Sequence, residues 1–298
     1  MAEKQFKSGF VNIVGNPNVG KSTLMNKLVG DKLSIITNKA QTTRHRIIGI
    51  VNKPGVQVVY SDTPGVVDPA YKMQEQMLGF SKSALSDADV LLYVTDVIED
   101  PKKHTAFLEE VKSLEVPVIV LLNKCDLSDT KKIEELVKVW MELLPNTLEV
   151  VPTAALHGAG INYISQRVEG LLPDSPPYFE EDAFTDRPAR FFVSEIIREK
   201  IFLYYQQEVP YATEVVVDSF KDEASILRIA ATIYVERESQ KGILIGDKGA
   251  AIKKLGTVAR QDLERFFDKK VFLQLYVKVE KEWRSNDRML KNFGYKLD

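Results

Sequence analysis

An eight-residue glycine-lysine loop near the N-terminus narrows the folds open to this chain: Gly15-Asn16-Pro17-Asn18-Val19-Gly20-Lys21-Ser22. It fits the pattern G-x-x-x-x-G-K-[ST]. An apolar run at residues 10–14 precedes it and a helical pattern at 21–29 follows. A strand, a loop and a helix in this order point the backbone N–H groups of the loop and the N-terminus of the helix toward a bound phosphate. We predict that residues 15–23, which end at Thr23, hold nucleotide phosphates, with Lys21 on the β- and γ-phosphates and Ser22 on Mg²⁺.

Residues 1–173 alternate between apolar runs that predict strands and patterns that predict helices. The predicted strands are 10–14, 47–52, 56–60, 90–94, 118–122 and 150–151; the predicted helices are 21–29, 103–114, 131–143 and 161–171. This order predicts an α/β P-loop domain, with a mostly parallel sheet and helices on both faces. Ligands of such sheets lie at the carboxyl ends of the strands, where the polar motifs of this chain fall.

A proline-rich, acidic stretch at residues 174–188 predicts a linker, and the pattern changes beyond it. Residues 189–298 predict helix, two strands, two helices around Gly246 and Gly249, and a last strand. This order suits a small α+β domain. Residues 1–185 carry 19 basic and 24 acidic side chains (net −5), and residues 186–298 carry 21 and 18 (net +3), which sum to −2. A mildly basic second domain is compatible with nucleic acid but does not require it.

The cysteine count and the lengths of the apolar runs indicate in which part of the cell the protein resides. A single cysteine excludes an intrachain disulfide framework. Residues 1–10 lack the apolar segment of a signal peptide, and every apolar run is shorter than the roughly 20 residues that span a bilayer. We expect a cytoplasmic protein, with peripheral membrane contact left open.

Asp62-Thr63-Pro64-Gly65 follows the predicted strand at 56–60 and indicates a second phosphate-side loop. Asp62 is expected to hold Mg²⁺ and Gly65 to bring its N–H to the γ-phosphate. A polar loop upstream contains Gln41-Thr42-Thr43-Arg44, and one threonine there would complete the magnesium shell when the loop closes. We favour Thr43, with Thr42 as the alternative.

Val66 stands where many GTPases carry a water-orienting glutamine, so we expect slow turnover. The Asn18 carbonyl is a candidate ligand for K⁺ beside the phosphates, where the cation would offset transition-state charge; the alternative is that Asn18 only shapes the loop. The predicted catalytic residues are Lys21, Thr43, Asp62, Gly65 and Asn18.

Asn123-Lys124-Cys125-Asp126 follows the apolar run at 118–122 and predicts the base reader. The Asp126 carboxylate can accept from N1–H and the exocyclic amine of guanine, a donor pair that adenine lacks. Asn123 is expected to tie this loop to the phosphate loop, and the Lys124 stem to cover the base. A further loop, Ala154-Ala155-Leu156, is expected to offer the Ala155 N–H to guanine O6. These motifs together predict a Mg²⁺-dependent GTPase that binds GTP and GDP.

An apolar run, a G-x-x-G loop and a helix follow one another in the second domain. Small glycines and helix ends let a sugar–phosphate backbone approach, as in KH domains that clamp single-stranded RNA. The alternative is a glycine turn whose lysines are only solvated. The predicted RNA-binding residues are Ile243, Ile245, Gly246, Asp247, Lys248, Gly249, Ile252 and Lys253.

The nucleotide loops and the G-x-x-G segment together resemble the Era family of bacterial GTPases over nearly the whole chain. Residues 16–22, 39–44, 62–65, 123–126, 194–200 and 245–249 carry the resemblance. It implies a type II KH-like domain, binding near the 3′ end of 16S rRNA, 30S subunit maturation, and in some members peripheral membrane association. We expect a monomer; a C-terminal domain that binds protein instead of RNA is the alternative. Val66 agrees with the family, whereas Ala154 stands where the family usually has serine.

Overall fold

The computed structural model describes residues 6–103 and 105–295, without the side chain of Thr105. The chain forms two compact units. One contains the residues up to Ala70 together with Gln74–Asp186, and the other contains Tyr71–Met73 and the residues from Arg187 onward.

The first unit is built on a six-stranded sheet in the order β2-β3-β1-β4-β5-β6. Its strands are β1 Lys7–Gly15, β2 Ile47–Lys53, β3 Val56–Asp62, β4 Val90–Asp96, β5 Val118–Asn123 and β6 Thr147–Pro152. Its helices are α1 Lys21–Val29, α2 Lys72–Ser86, α3 Thr105–Lys112, α4 Thr130–Leu143 and α5 Ile161–Leu171. β2 is antiparallel to β3 and the other neighbours are parallel, so the predicted mostly parallel α/β sheet is confirmed.

The apolar runs of the sequence become strands that are covered on both faces. β3, β4 and β5 are buried along their whole length. One apolar cluster joins Tyr93 of β4 to Ala84 of α2, Phe107 of α3 and Trp140 of α4. α1 packs on β1, β2 and β3 and also against α5. This burial fixes the parallel strands rigidly, so that their carboxyl ends present Gly15, Asp62 and Asn123 along one edge.

The stretch predicted as a linker contains no helix but lies in ordered contact with the sheet. The buried Gln57 side chain accepts from the Tyr178 and Phe179 N–H groups at 2.7 and 3.0 Å. Ile50 N–H donates to Phe184 O at 2.9 Å, and the Thr185 hydroxyl donates to Ile48 O at 2.7 Å. Its prolines remove backbone donors and disfavour a helix. Polar groups of Tyr178, Phe179, Phe184 and Thr185 pair instead with the Gln57 side chain and with the backbone of β2.

The second unit follows the predicted α-β-β-α-α-β order. Its elements are α6 Ala189–Tyr204, β7 Glu214–Asp222, β8 Ile226–Val235, α7 Glu238–Ile245, α8 Ala250–Phe267, β9 Lys270–Val279 and α9 Asp287–Asn292. β8 lies between antiparallel β7 and parallel β9. Alternate residues of β8, such as Ile229 and Ile233, form one apolar core with Ile197 of α6, Leu244 of α7 and Leu263 of α8. Three helices therefore cover one face of the sheet.

In the part of the chain that the structure describes, none of the helices has the length and apolar character needed to cross a membrane.

Candidate functional site

The loop between β1 and α1 depends on glycine at its two ends. Gly15 has φ +142°, and a Cβ there would lie 2.1 Å from the backbone oxygen of Val94. Gly20 has φ +103°, and its Cβ would lie 2.2 Å from Asn123 Nδ2. Only glycine fits so close to neighbouring atoms at these dihedrals. The loop is therefore held against β4 and the Asn123 loop, and α1 begins directly after it.

Lys21 lies inside the loop. Its Nζ donates to Gly15 O at 3.0 Å and to Asn16 O at 2.8 Å, and the residue is 6% exposed. Burial lowers the pKa of the Lys21 ammonium to about 8, although the charges of Asp62 and Glu99 oppose this shift. A buried cation at the N-terminus of a helix suits the oxygens of a polyphosphate.

Three predicted magnesium ligands converge beside this loop. Ser22 Oγ donates to Asp62 Oδ2 at 2.7 Å and lies 2.8 Å from Thr43 Oγ1. Thr43 Oγ1 is 3.4 Å from Asp62 Oδ2. Thr42 points elsewhere, since its hydroxyl contacts Thr37 Oγ1 at 2.5 Å and Lys39 O at 2.7 Å. The geometry brings Thr43 into the group and leaves Thr42 outside it.

The Asp62 carboxylate fits a hard cation. It is fully buried, and its Oδ1 has no hydrogen-bond partner among the described residues. Burial raises the pKa of this carboxyl, while the charge of Lys21 and hydrogen bonds from the hydroxyls around it lower it. A buried carboxylate with a spare oxygen, next to two hydroxyls, offers the all-oxygen ligand set that Mg²⁺ prefers.

The segment after β3 approaches the phosphate loop closely. A Cβ on Gly65 would lie 2.7 Å from the backbone of Pro17. Val66 is 3% exposed and packs in the apolar cluster with Val14 and Tyr93, while its N–H donates to Gly15 O at 3.2 Å. Its side chain thus points into the core and presents no group to a water at the phosphates.

The base-reader loop is tied to the phosphate loop as predicted. Asn123 Nδ2 donates to Val19 O at 2.8 Å, and Asn123 Oδ1 accepts the Ala155 N–H at 3.0 Å. A guanine oxygen would therefore have to share or replace the bond that this N–H already makes. Lys124 Nζ donates to Asn18 O and to Asp96 Oδ2, both at 2.6 Å. The stem of Lys124 is thereby held across the rim of the site.

A cleft of about 470 Å³ joins the two loops, which is within the usual range for a small-molecule site. The predicted residues that line it are Pro17, Asn18, Gly20, Lys21, Ser22, Thr23, Thr43, Gly65, Asn123, Lys124, Asp126, Ala155 and Leu156. The other predicted residues do not line the cleft but adjoin residues that do: Gly15, Asn16, Val19, Asp62, Thr63, Pro64 and Ala154. Thr63, for example, donates its hydroxyl to Ile13 O at 2.8 Å.

The sequence analysis missed several lining residues. Residues 35–38 close one side of the cleft, and Leu127 lies beside Asp126 in its wall. Ile36 and Leu127 are 42% and 62% exposed, which is unusual for large aliphatic side chains. The sequence did carry two signals for these residues. Ile36 is an apolar residue in the middle of the polar loop, and Leu127 is an apolar residue directly after Asp126.

The G-x-x-G segment joins α7 to α8, as predicted. Gly246 and Gly249 have φ +72° and +80°, and Lys248 also lies in the left-handed region at +46°. Ile243 on α7 is 50% exposed, Asp247, Lys248 and Lys253 are exposed, and Ile245 and Ile252 are partly buried. The predicted RNA-binding residues therefore share one accessible turn and its flanks.

Two family models match the chain. One, described as 50S ribosome-binding GTPase, matches residues 10–124. The other, described as KH domain, matches residues 208–284. Apart from Tyr71–Met73, the first match falls within the first unit, and the second match falls within the second unit.

Relatives resemble the chain from end to end. GTPase Era of Geobacter sp. (strain M21) is 48% identical over 99% of this chain and 100% of its own length. GTPase Era of Geotalea uraniireducens (strain Rf4) is 47% identical with the same coverage. GTPase ERA1, chloroplastic, of Zea mays is 43% identical over 97% of this chain and 70% of its own length.

Two solved structures have nearly the same fold. One is Era in complex with MgGDPNP and nucleotides 1506–1542 of 16S ribosomal RNA, with 38% identity, a TM-score of 0.93, and coverage of 98% of this chain and 100% of that chain. The other is an Aquifex aeolicus Era variant bound to GDP and AlF4⁻, with the same identity, TM-score and coverage.

Proposed function

The chain belongs to the Era family of GTPases, and from this premise we propose that it is a GTP-driven switch that binds small-subunit ribosomal RNA and assists maturation of the 30S subunit. The observation that carries the proposal is the full-length match to an Era bound to both MgGDPNP and 16S rRNA nucleotides. GTP would order the loop that contains Thr43 around the phosphates, and hydrolysis would release it.

Within this proposal, each nucleotide loop has a defined part. Lys21 and the N–H groups of the phosphate loop bind the β- and γ-phosphates, and Asp126 selects guanine. Ser22, Thr43 and Asp62 would hold Mg²⁺, which supplies positive charge to the phosphate oxygens when it is bound. Val66 leaves the attacking water without a side-chain partner at that position, so that unassisted turnover is slow.

Asn18 is proposed to help hold a monovalent cation. Its backbone oxygen is fixed by Lys124, and its exposed side chain lines the cleft beside Lys21. We expect GTP turnover in potassium to exceed that in sodium by at least about tenfold, since one preorganised charge contact in the transition state is worth about 100- to 1,000-fold and sodium can supply part of it. Steady-state phosphate release in matched KCl and NaCl buffers measures this. Equal rates would remove the cation role, and Asn18→Ala should make the two rates converge.

The second unit is proposed to bind RNA through residues 243–253. The turn exposes two lysines and backbone groups that a nucleotide chain can approach, and the KH model covers it. The comparisons do not favour the alternative in which this unit binds protein instead.

Lys248→Glu combined with Lys253→Glu should weaken binding of a 16S rRNA 3′-end oligonucleotide by at least about tenfold, because two contacts with phosphate groups are lost. Both side chains are exposed, so folding should be unaffected. Gly246→Asp with Gly249→Asp tests the loop backbone, although a Cβ at Gly246 would lie 2.6 Å from Ala251 Cβ. Fluorescence anisotropy measures the affinity of both double variants for the RNA oligonucleotide.

The matched control reverses the exposed Lys131 and Lys132 of α4. It changes the net charge equally but leaves the turn intact. RNA affinity that is the same in the control and the Lys248/Lys253 variant would contradict the proposed RNA surface.

We propose two domains, residues 1–173 and 189–298, with 174–188 as the connection; residues 1–5 and 296–298 lie outside the described residues. We also propose that the protein acts in the cytoplasm as a monomer. Peripheral membrane contact rests on the resemblance alone.

A further inference from the structure

An acidic turn, residues 95–99, follows β4 and lies against the phosphate loop. Asp96 Oδ1 accepts the N–H groups of Ile98 and Glu99 at 2.8 and 2.9 Å, which folds the turn back. Glu99 Oε2 accepts from Asn16 Nδ2 at 2.8 Å, and Oε1 accepts the Thr95 hydroxyl at 2.5 Å. Both oxygens of this carboxylate are therefore engaged, and one of them holds a residue of the phosphate loop.

Asn16 connects Glu99 with the phosphate-binding lysine. The Asn16 side chain is buried, at 3% exposure, so its amide has few alternative donors or acceptors. The backbone oxygen of the same residue accepts from Lys21 Nζ at 2.8 Å. Glu99 thus fixes the side chain of Asn16, and the backbone oxygen of Asn16 accepts from Lys21 Nζ. A buried amide that loses its hydrogen-bond partner is free to turn.

The charge of Glu99 also acts on Lys21. Burial lowers the pKa of Lys21 to about 8, and Asp62 and then Glu99 oppose this shift. Burial raises the pKa of Glu99 itself, while hydrogen bonds from Thr95 and Asn16 lower it, Asp96 raises it and Lys21 lowers it. The other ionisable groups nearby are Lys124, paired with Asp96 at 2.6 Å, and Tyr93 of β4.

We propose that Glu99 is a positioning residue of the phosphate site, which acts through the Asn16 side chain to hold the phosphate loop and Lys21 in their binding geometry. This inference rests on the proposed role of Lys21 in phosphate binding.

The test compares three variants of the full chain. Glu99→Gln keeps the shape of the side chain and one acceptor for Asn16 Nδ2, removes the charge, and turns an NH₂ group toward the Thr95 hydroxyl, which can accept from it. Glu99→Ala removes the charge and both acceptors. Asp100→Asn is the matched control, because it removes a carboxylate from the next residue, which is exposed and lies outside the cleft. Equilibrium titration with a fluorescent GDP at pH 7 gives the affinity of each.

Glu99→Gln should stay within about threefold of the wild-type affinity, because it keeps an acceptor for the Asn16 amide. Glu99→Ala should bind GDP about tenfold more weakly, because the buried Asn16 Nδ2 loses its acceptor. In a protein that already carries Asn16→Ala, Glu99→Ala should cause no further loss, since the effect of Glu99 passes through Asn16. Asp100→Asn should bind like wild type.

Wild-type affinity in Glu99→Ala would overturn the inference, as would an equal loss in Asp100→Asn or a loss that persists in the Asn16→Ala background. Should Glu99→Ala fail to fold, Glu99→Asp decides in its place, because its shorter side chain withdraws the carboxylate from Asn16 Nδ2. Lys21→Ala separates this inference from the proposed function. If Lys21→Ala binds GDP like wild type, the phosphate role of Lys21 is wrong; if it loses binding while both Glu99 variants match wild type, only the inference on Glu99 is wrong.

Discussion

Asp126→Asn should weaken GTP binding by at least about a hundredfold and convert the protein into one that prefers XTP. Guanine presents two donors, N1–H and its exocyclic amine, and the Asp126 carboxylate has two oxygens to accept them. An asparagine keeps one acceptor and replaces the other with an NH₂ group, which faces a donor. Xanthine carries an oxygen in place of the exocyclic amine, and that oxygen can accept from the new amide.

The surroundings of Asp126 leave its carboxylate available for this contact. It lines the cleft beside Leu127 and Leu156, and His157 Nε2 lies 3.5 Å from Asp126 Oδ2. The neighbouring Asn123 is engaged with Val19 and Ala155, so it holds the loop rather than replacing the lost acceptor.

Competition titrations with GTP, XTP and ATP against a fluorescent nucleotide measure the change. Asp100→Asn, which removes an exposed carboxylate outside the cleft, serves as the control for charge and should retain GTP preference. An Asp126→Asn protein that still prefers GTP over XTP would show that the carboxylate does not read the base.

The local sequence was sufficient to predict that residues from separate loops would converge on one cleft. The phosphate loop, the Asp62 segment and the base reader each follow an apolar strand, and a parallel sheet brings the ends of such strands together. For the same reason α1 and α5 were predicted with their observed bounds, because glycine lies directly before each helix and apolar residues recur along it.

Features that depend on distant contacts were not predicted. α2 went unrecognised, although Met73, Met77, Phe80 and Ala84 form a buried helical stripe, because polar residues and a glycine interrupt the pattern. The contact between Glu99 and Asn16 joins positions 83 residues apart. Nothing in either segment alone indicates that pairing. The position of the Thr43 hydroxyl, rather than that of Thr42, beside Ser22 and Asp62 likewise follows only from the folded structure.

Gly15→Ala should destabilise the first unit by about 3–5 kcal/mol. Two costs combine at this position: φ is +142°, which alanine rarely adopts, and the new Cβ would lie 2.1 Å from Val94 O. Gly15 pairs with Val94 across β1 and β4 in the middle of the sheet, so relief requires the two strands to separate. The Gly15 backbone oxygen also accepts hydrogen bonds from Lys21 Nζ and from the Val66 N–H. Because the substitution displaces this oxygen, nucleotide binding should be lost as well.

Gly55→Ala is the matched control, because Gly55 also has a positive φ of +80°, but a Cβ added there would have no atom within 4 Å. We expect it to cost about 1 kcal/mol, from backbone strain alone. The chain has two tryptophans, buried Trp140 in the first unit and buried Trp283 in the second. Urea unfolding in a shared Trp283→Phe background therefore follows the first unit through Trp140. If the two alanine variants unfold at the same urea concentration, contact with Val94 is not what requires glycine at position 15.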